Sequence, residues 1–334
     1  MIEVKEPTVT PSMGKAPTAQ LYSPSSVMLK NASLRIAVVL VTHNRPELLR
    51  KALQSVLSQS RGADELVIVD NASDEQTKDV IRNYSTASPI YLDTNKGCSE
   101  GFAIGILKAL EKRADWMLLI DDDAILEADV LQKFENCALD IPYRTAGLFA
   151  AVFENGSLAL KHRRRFSSHQ CKELEIAANM YSDKNVEIDE GSFVGFFLSA
   201  AAVREVGVPL EEMFVAYDDT EYSLRLRRCG WTLYLCPEAR VVHLRETSGR
   251  LRRSKYGTKH YYHLRNQLAT LCEYATGGKW RLALPVGMHL ALAITSGGAA
   301  GLRLFWNALR DVPEMRGHIR NANSPFPGKA SVGD

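Results

Sequence analysis

Three consecutive aspartates, Asp121 to Asp123, directly follow an apolar segment and are the first candidates for chemistry in this 334-residue chain. Adjacent carboxylates repel one another, and the repulsion is costly unless a cation or water screens it. A solvated acidic turn with an aspartate capping a helix is the plain structural interpretation. We favour a divalent metal site, because carboxylate oxygens suit Mg²⁺ or Mn²⁺ and a substrate diphosphate can supply the remaining ligands.

A second acidic group, residues 218–221, lies at the start of a predicted helix. Asp219 is well placed to cap that helix, and Glu221 could pair with Arg225 one turn later. The same carboxylates could instead act as a general base that removes a proton from an attacking hydroxyl. The residues alone leave both interpretations open.

His243 follows a short predicted strand and precedes a cationic segment, residues 245–255. A single histidine is usually a hydrogen-bonded structural residue, but it can also bind a metal. The cationic segment is either a solvated loop or a mobile lid over an anionic diphosphate. A second basic run, Lys161–Arg165, is predicted to lie in a loop, where it could face a diphosphate or a membrane surface.

Strands and helices alternate from residue 35 to about 140 and would position these groups. Apolar runs at 36–41, 65–69, 90–92 and 116–120 predict strands separated by helices, which is the pattern of right-handed βαβ units in a doubly wound sheet. Ligands bind such sheets at the carboxyl ends of the strands. Besides the three aspartates, the polar residues at those ends are Thr42, His43, Asn44, Arg45, Asp70, Asn71, Asp93, Thr94 and Asn95.

Beyond residue 140 the alternation is looser. We predict strands at 147–153, 231–235 and 240–243, a strand-like segment at 187–199, helices at 200–206 and 220–229, and helical structure beyond Tyr256. Residues 1–34, rich in proline, serine and threonine, are predicted to be a flexible extension without a secretory signal. The apolar stretch 282–306 is diluted by glycine, proline and histidine, so we predict a buried or membrane-surface helix rather than a spanning one.

The composition excludes several classes of protein. With 46% hydrophobic and 24% charged residues it is typical of a soluble globular chain, and a net charge of +2 argues against charge-driven nucleic-acid binding. The six cysteines form no CxxC pair, so we expect reduced thiols in a cytosolic protein. No GxGxxG follows the first strand, which excludes a nicotinamide dehydrogenase. The glycines at 97, 101 and 105 permit either close helix packing or the approach of backbone amides to a phosphate or sugar.

Taken in order, these segments resemble the family 2 glycosyltransferases, which are inverting enzymes that use nucleotide sugars. The resemblance covers about residues 35–250 and rests on residues 38–49, 66–73, 95–105, 119–124, 214–221 and 242–243. Phe214-x-x-x-Asp-Asp-x-Glu221 and Tyr262-x-x-Arg-Asn266 are similar to the bacterial galactofuranosyl- and rhamnosyltransferase branch. The triple aspartate followed by Ala124 is closer to the galactofuranosyl members, whereas Cys98-Ser99-Glu100 replaces their denser glycine run.

The resemblance implies an α/β fold of the GT-A type, with one doubly wound, mostly parallel sheet and a C-terminal helical extension. The implied organisation is a flexible extension at 1–34, a nucleotide-sugar-binding catalytic domain at 35–255, and a helical, membrane-associating region at 256–334.

The resemblance also implies a role for individual residues. Asp219 would be the catalytic base, with Asp218 assisting it or binding the acceptor. The nucleotide would be held by Thr42, Asn44, Arg45, Asp70, Asn95, Asp121 and Asp122. The ligands of Mn²⁺ or Mg²⁺ would be Asp121, Asp123 and His243. The acceptor pocket would include Gly195, Phe196 and Glu221.

The predicted function is metal-dependent transfer of a sugar from a nucleotide diphosphate to a hydroxyl of a glycan or lipid-linked glycan in cell-envelope polysaccharide synthesis. Galactofuranose is the favoured sugar and rhamnose the next, with UDP favoured over dTDP as the nucleotide. The alternatives are a sugar-nucleotide pyrophosphorylase and a catalytically dead nucleotide- or glycan-binding module. We predict no nucleic-acid partner and a cytoplasmic enzyme in peripheral contact with the inner face of the membrane, and we leave a homo-oligomer open.

Overall fold

The protein is an α/β structure built on one large mixed sheet. The computed structural model describes residues 34–184, 186–244 and 254–323. These residues belong to one compact unit that begins at Leu34. The predictions made for residues 1–33 and for most of the cationic segment 245–255 lie outside the described residues.

The elements follow one another along the chain as follows. The strands are β1 Ile36–Thr42, β2 Glu65–Asp70, β3 Ser88–Tyr91, β4 Trp116–Asp121, β5 Ala124–Leu126, β6 Thr145–Glu154, β7 Ser157–Leu158, β8 Arg163–Ser167, β9 Lys172–Glu175, β10 Val186–Ile188, β11 Glu190–Gly191, β12 Phe196–Ser199 and β13 Thr232–His243. The helices are α1 Pro46–Leu57, α2 Glu75–Arg82, α3 Gly97–Glu111, α4 Val130–Asp140, α5 Ala200–Val206, α6 Asp218–Arg228, α7 Thr258–Tyr274, α8 Ala283–Leu292 and α9 Gly298–Ala322.

The parallel half of the large sheet confirms the α/β prediction. The strand order is β10-β13-β6-β12-β4-β1-β2-β3, and β1 pairs in parallel with both β2 and β4. Every residue of β1 is buried, as expected for a strand with helices on both faces. Thr42 lies opposite Asp70, and Val41 lies opposite Asp121. The carboxyl ends of these three strands therefore meet at one edge.

The other half of the sheet is mixed, because β12 runs antiparallel between β4 and β6. Strand β13 runs parallel to β6 and then pairs with β5, which places His243 opposite Ala124 and beside the aspartates. The sequence predicted two separate strands here, but the structure has one. Its register shifts between Cys236 and Arg240, around Pro237, which has no N–H to donate to the sheet.

The basic run Lys161–Arg165 forms a short 3-10 turn and the start of β8, so the predicted loop is wrong. Strand β8 pairs with β9 and β11 in a separate three-stranded sheet. Arg163 is fully buried and donates to four backbone carbonyls, while Arg164 pairs with Glu173 and Glu190. Both guanidinium groups are thus engaged inside the protein. Their partners are distant in sequence, which is why the run resembles a solvated loop.

The glycines of α3 serve close packing. A Cβ at Gly101 would lie 2.8 Å from Cγ1 of Val41, so the helix approaches β1 closely because this residue has no side chain. Gly97, at φ +80°, lies against the carbonyl of Phe214, to which the Ser99 N–H donates. The packing interpretation of these glycines is therefore the one that the structure supports.

The three C-terminal helices pack on one another, and α7 also packs on α6. Leu264 and Leu268 of α7 and Phe305 and Ala308 of α9 form their apolar core. Within the described residues, Lys279–Ala322 is the one helical stretch that is long and apolar enough, by length and composition, to cross a membrane.

Candidate functional site

Asp121, Asp122 and Asp123 extend from the end of β4 beside the end of β1. The Thr42 hydroxyl donates to Asp122 Oδ2 at 2.8 Å. Arg45 Nη1 lies 3.0 Å from Asp122 Oδ1 and 3.1 Å from Asp123 Oδ2. Burial, followed by the charge of Asp123, raises the pKa of Asp121 to about 8. Buried carboxyl groups whose pKa is raised in this way lack compensating positive charge.

His243 reaches the same cluster from the end of β13. Its Nε2 lies 3.2 Å from Asp123 Oδ1, a buried oxygen that has no hydrogen-bond partner in the described part of the chain. Its Nδ1 lies 2.9 Å from Glu154 Oε1. A metal-binding histidine is commonly held in this way, with a carboxylate at the nitrogen that does not face the metal. The carboxyl oxygens of Asp121 and Asp123 and the imidazole of His243 are ligands of the types that hold a divalent cation, and we call this group the metal edge.

Glu154, at the end of β6, is a functional candidate that the sequence analysis missed. Its Oε1 lies 3.0 Å from His162 Nε2, and its Oε2 lies 2.6 Å from Lys161 Nζ. The hydrogen bond with His162 and then that with Lys161 hold the pKa of Glu154 well below its usual range, although burial opposes them. The sequence pattern could have identified Glu154, because it directly follows a predicted strand just as Asp70 and Asp121 do.

Glu154, His162 and His243 also form a geometric alternative for a metal. One ligand atom from each lies within 4.8 Å of the others. However, Lys161 and two imidazoles already surround the single charge of Glu154, whereas Arg45 and His243 face the three carboxylates at 121–123. We therefore favour the metal edge as the cation site and treat Glu154 as a partner of His243.

A second acidic group follows a segment of unusual backbone, residues 213–219, which we call the base loop. Phe214, Ala216 and Tyr217 have φ values of +61°, +68° and +63°. Such a conformation costs a residue with a side chain about 1–3 kcal/mol, so surrounding contacts must enforce it. The buried Asn266 provides them, because its Nδ2 lies 2.8–3.2 Å from three carbonyl oxygens of residues 213–216. Asn266 belongs to the Tyr262-x-x-Arg-Asn266 segment, whose sequence alone does not reveal this role.

Asp218 and Asp219 occupy the first turn of α6. The helix begins at Asp218 and its cap is Tyr217, so Asp219 is not the helix cap. Burial, followed by the charge of Asp219, raises the pKa of Asp218 to about 7. Burial also raises the pKa of Asp219, although Arg164 opposes this. A carboxylate with a raised pKa is suited to accept a proton near neutral pH.

The base loop and the metal edge share one electrostatic region. The Cys98 thiol lies 3.3 Å from Asp218 Oδ2. The charge of Asp218 adds to the effects that raise the pKa of Asp121. The structure thus brings together the carboxylates at 121–123 and 218–219, which are separated by nearly one hundred residues in sequence.

Three of the predicted nucleotide-binding residues border the metal edge. Thr42 and Arg45 contact Asp122 directly. Asp70 is fully buried at the end of the neighbouring strand, where its Oδ1 accepts from the Ser73 N–H at 3.0 Å. Its Oδ2 has no hydrogen-bond partner among the residues that the structure describes.

The two predicted asparagines are engaged in loop contacts. Asn44 Oδ1 accepts from the Asp74 N–H at 2.7 Å, and the exposed Asn95 accepts from the Gly97 N–H at 2.9 Å. Asn71, a strand-end residue to which the sequence assigned no role, donates to the Gly97 carbonyl at 2.8 Å. These contacts join the loops at the carboxyl ends of β1, β2 and β3 to the start of α3.

The predicted acceptor residues lie mostly in the interior. Gly195 adopts φ +72°, and Phe196 is fully buried and stacks on Phe149 at 4.2 Å between ring centroids. Glu221 is also fully buried, with Oε1 3.2 Å from Arg225 Nε, which is the helical ion pair considered as its structural role. The structure does not bring Phe196 or Glu221 to a surface that an acceptor could contact.

Residues 37–203 match the Glycosyl transferase family 2 domain. The chain belongs to glycosyl transferase family 2. The matched region contains strands β1, β2 and β4 and therefore most of the metal edge. The resemblance inferred from the sequence is confirmed, and the protein is a glycosyltransferase.

Two relatives with similar sequences are named for the transfer of galactofuranose and of rhamnose. This glycosyltransferase is 32% identical over 213 residues to the galactofuranosyltransferase GlfT1 of Mycolicibacterium smegmatis. The aligned region covers 62% of this chain and 70% of the relative. It is 28% identical over 218 residues to the dTDP-rhamnosyl transferase RfbF of Shigella flexneri, which covers 62% and 68%.

Solved structures show the same fold at low sequence identity. GalNAc-T7, solved with UDP, GalNAc and Mn²⁺, has a TM-score of 0.59 at 16% identity over 84% of this chain and 57% of that one. TarS 1–349 of S. aureus, solved with UDP, has a TM-score of 0.52 at 13% identity over 87% and 88%. The glycosyltransferase thus has a GT-A-type fold with a C-terminal helical extension.

Proposed function

We propose that this glycosyltransferase moves a sugar from a nucleotide-diphosphate donor to a hydroxyl of a glycan or lipid-linked glycan, with inversion at the anomeric carbon. The observation that carries the proposal is the convergence of the metal edge and the base loop at one side of the sheet. The first group suits a cation with a diphosphate, and the second suits removal of a proton.

In this proposal the metal edge holds Mn²⁺ or Mg²⁺ through Asp121, Asp123 and His243. When bound, the ion supplies positive charge that stabilises the leaving diphosphate. Arg45 lies against the same carboxylates and adds a second positive charge. Thr42, Asp70 and Asp122 would hold the nucleotide beside it, and Asn44 and Asn95 would act from the adjoining loops.

Asp219 is the proposed base, with Asp218 as its assistant. Asp219 takes the proton of the acceptor hydroxyl, whose oxygen attacks the anomeric carbon opposite the leaving diphosphate. A single displacement inverts the configuration, so the enzyme needs no nucleophile of its own. Gly195, Phe196 and Glu221 lie in the interior and would shape the acceptor pocket from beneath.

We propose UDP-galactofuranose as the favoured donor and dTDP-rhamnose as the next candidate. Support comes from the relatives named for galactofuranosyl and rhamnosyl transfer and from the similar folds solved with UDP. A cytoplasmic enzyme that works on cell-envelope polysaccharide at the inner face of the membrane would have access to both a soluble donor and a lipid-linked acceptor.

The test is a panel of UDP-, GDP- and dTDP-sugars with Mn²⁺, scored for release of the nucleoside diphosphate and for the anomeric configuration of the product. We expect UDP-galactofuranose to be used best, an inverted product, and loss of activity with a chelator that added Mn²⁺ restores. Retained configuration, or unchanged turnover with chelator, would contradict the proposal. In a parallel assay with added pyrophosphate, conversion of the nucleotide sugar to a nucleoside triphosphate and a sugar 1-phosphate would indicate a pyrophosphorylase.

A further inference from the structure

The outer side of residues 280–294 exposes a row of large apolar side chains. Trp280, Leu284, Met288 and Ile294 are exposed by 76%, 70%, 43% and 58%. Positions 280, 284 and 288 are separated by four residues each, and positions 280 and 294 by about four helical turns, so the four side chains fall on one broad side of a helix. We call these four residues the outer face.

The opposite side of the same segment is covered by other helices of the protein. The residues that pack on α7 and α9 from this side are Leu282, Val286, Leu290 and Ala293. The segment therefore has two apolar sides, of which one is covered and one meets solvent. Soluble monomers rarely expose a contiguous apolar row of this kind. Such a row is typical of an interaction surface.

The charges around the outer face indicate which partner it fits. Residues 274–310 include no aspartate or glutamate, and their cations are Lys279, Arg281, Arg303 and Arg310. Lys279 and Arg281 are exposed on either side of Trp280. Tryptophan and basic residues beside an apolar helical surface suit the interface of a bilayer with anionic headgroups.

We propose that the outer face docks on a bilayer surface that contains anionic phospholipid, with the segment lying in the interface. Although Lys279–Ala322 is long enough to cross a membrane, the exposed apolar row itself covers fifteen residues, about 22 Å as a helix, which is less than the roughly 30 Å of a hydrocarbon core. Spanning would also require the covered side to leave α7 and α9. The biological purpose of this docking, access to a lipid-linked acceptor, rests on the proposed function.

Helix α7 links the docking surface to the catalytic residues. Its Leu264 and Leu268 pack in the core that also receives the inner side of residues 282–293. Its Asn266 holds the base loop. Helix α7 therefore contacts both the segment that carries the outer face and the base loop that carries Asp219.

The test is co-sedimentation of the full chain with phosphatidylcholine vesicles, with and without phosphatidylglycerol. We expect binding to the anionic vesicles, weakened by salt, and a loss on the order of tenfold or more in Leu284→Glu/Met288→Glu. Leu57→Glu, at a 55% exposed leucine on α1, is the matched control and should bind like the parent. Failure of the parent to bind, or equal binding by the double variant, would overturn the proposal.

Two further measurements keep the outcome interpretable. Circular dichroism and donor hydrolysis without vesicles should be unchanged in the double variant, because the outer face lies outside the site. Light scattering without lipid should show the same mass for both proteins, and a dimer that the double variant dissociates would assign the face to a second copy instead. Vesicle binding needs no sugar donor, so the docking proposal and the proposed function can fail independently.

Discussion

The metal edge and the base loop place carboxylates by different means. Asp121 and Asp123 leave a buried parallel strand, and His243 reaches them because β13 pairs in register with β5. The base loop instead contains three residues with left-handed backbone, held by an asparagine 50 residues further along the chain from Ala216. Regular strand pairing is sufficient for the first region, whereas the second depends on one remote side chain.

The largest effect that separates the two regions is expected from Asp219→Asn. Loss of the proposed base should reduce sugar transfer by about a thousandfold, because an amide cannot take the proton. Binding of the nucleotide with Mn²⁺, measured by calorimetry, should remain nearly unchanged because the metal edge is intact. Asp79→Asn, on the exposed side of α2, is the control. Near-normal turnover in Asp219→Asn would show that another group is the base.

The converse variant, Asp123→Ala, should damage binding. Removing this proposed ligand should weaken Mn²⁺-dependent binding of the nucleotide by about a hundredfold, while metal-free nucleotide affinity changes little. Calorimetry with and without Mn²⁺ measures both. An unchanged Mn²⁺-dependent affinity would contradict the assignment of the metal edge.

Asn266→Ala tests whether the base loop depends on its remote clamp. The free energy of unfolding, measured with denaturant, should fall by about 1–3 kcal/mol, because three buried carbonyl groups lose their hydrogen-bond donor. Transfer should fall between about tenfold and a hundredfold as Asp219 loses its position. Mn²⁺ binding should be retained, and an equal loss of metal binding would mean that the two regions are not independent. Asn136→Ala, at an exposed position of α4, controls for loss of an asparagine.

Glu154→Gln tests whether Glu154 orients His243 or binds the metal directly. Replacing the carboxylate behind His243 should weaken Mn²⁺ binding about tenfold, because the imidazole loses its orienting partner. Electron paramagnetic resonance titration with Mn²⁺ measures this without turnover. Loss of all Mn²⁺ binding would instead point to Glu154 as a direct ligand. Glu135→Gln, on α4 away from the site, is the control.

The smallest effect concerns pH. A base acts in its ionised form, so a raised pKa means that activity falls as pH decreases through that pKa. Burial raises the pKa of both Asp218 and Asp219, that of Asp218 to about 7. We expect the acid limb of kcat/KM with Mn²⁺ present to lie well above the usual aspartate range. A profile that stays flat down to about pH 5 would contradict this.

Much of the metal edge could be predicted because it follows from local patterns. A continuous apolar run predicts a buried strand, and its terminal polar residue must lie at the sheet edge. Glu154 follows the same rule, yet its role depends on contacts with His162 and His243 that no local pattern encodes. Arg163 and Arg164 were assigned to a loop for the same reason, since the carbonyls and carboxylates that hold them come from other segments.

By itself, the amino-acid sequence determined the α/β order, the strand ends that carry carboxylates, and the family. These features depend on residue type and spacing, which repeat along the chain with the period of each element. The tertiary structure decided which carboxylates meet, which asparagine holds the base loop, and which apolar side of α8 remains exposed. Those outcomes depend on side chains far apart in sequence, whose burial and contacts arise only when the sheet and helices have packed.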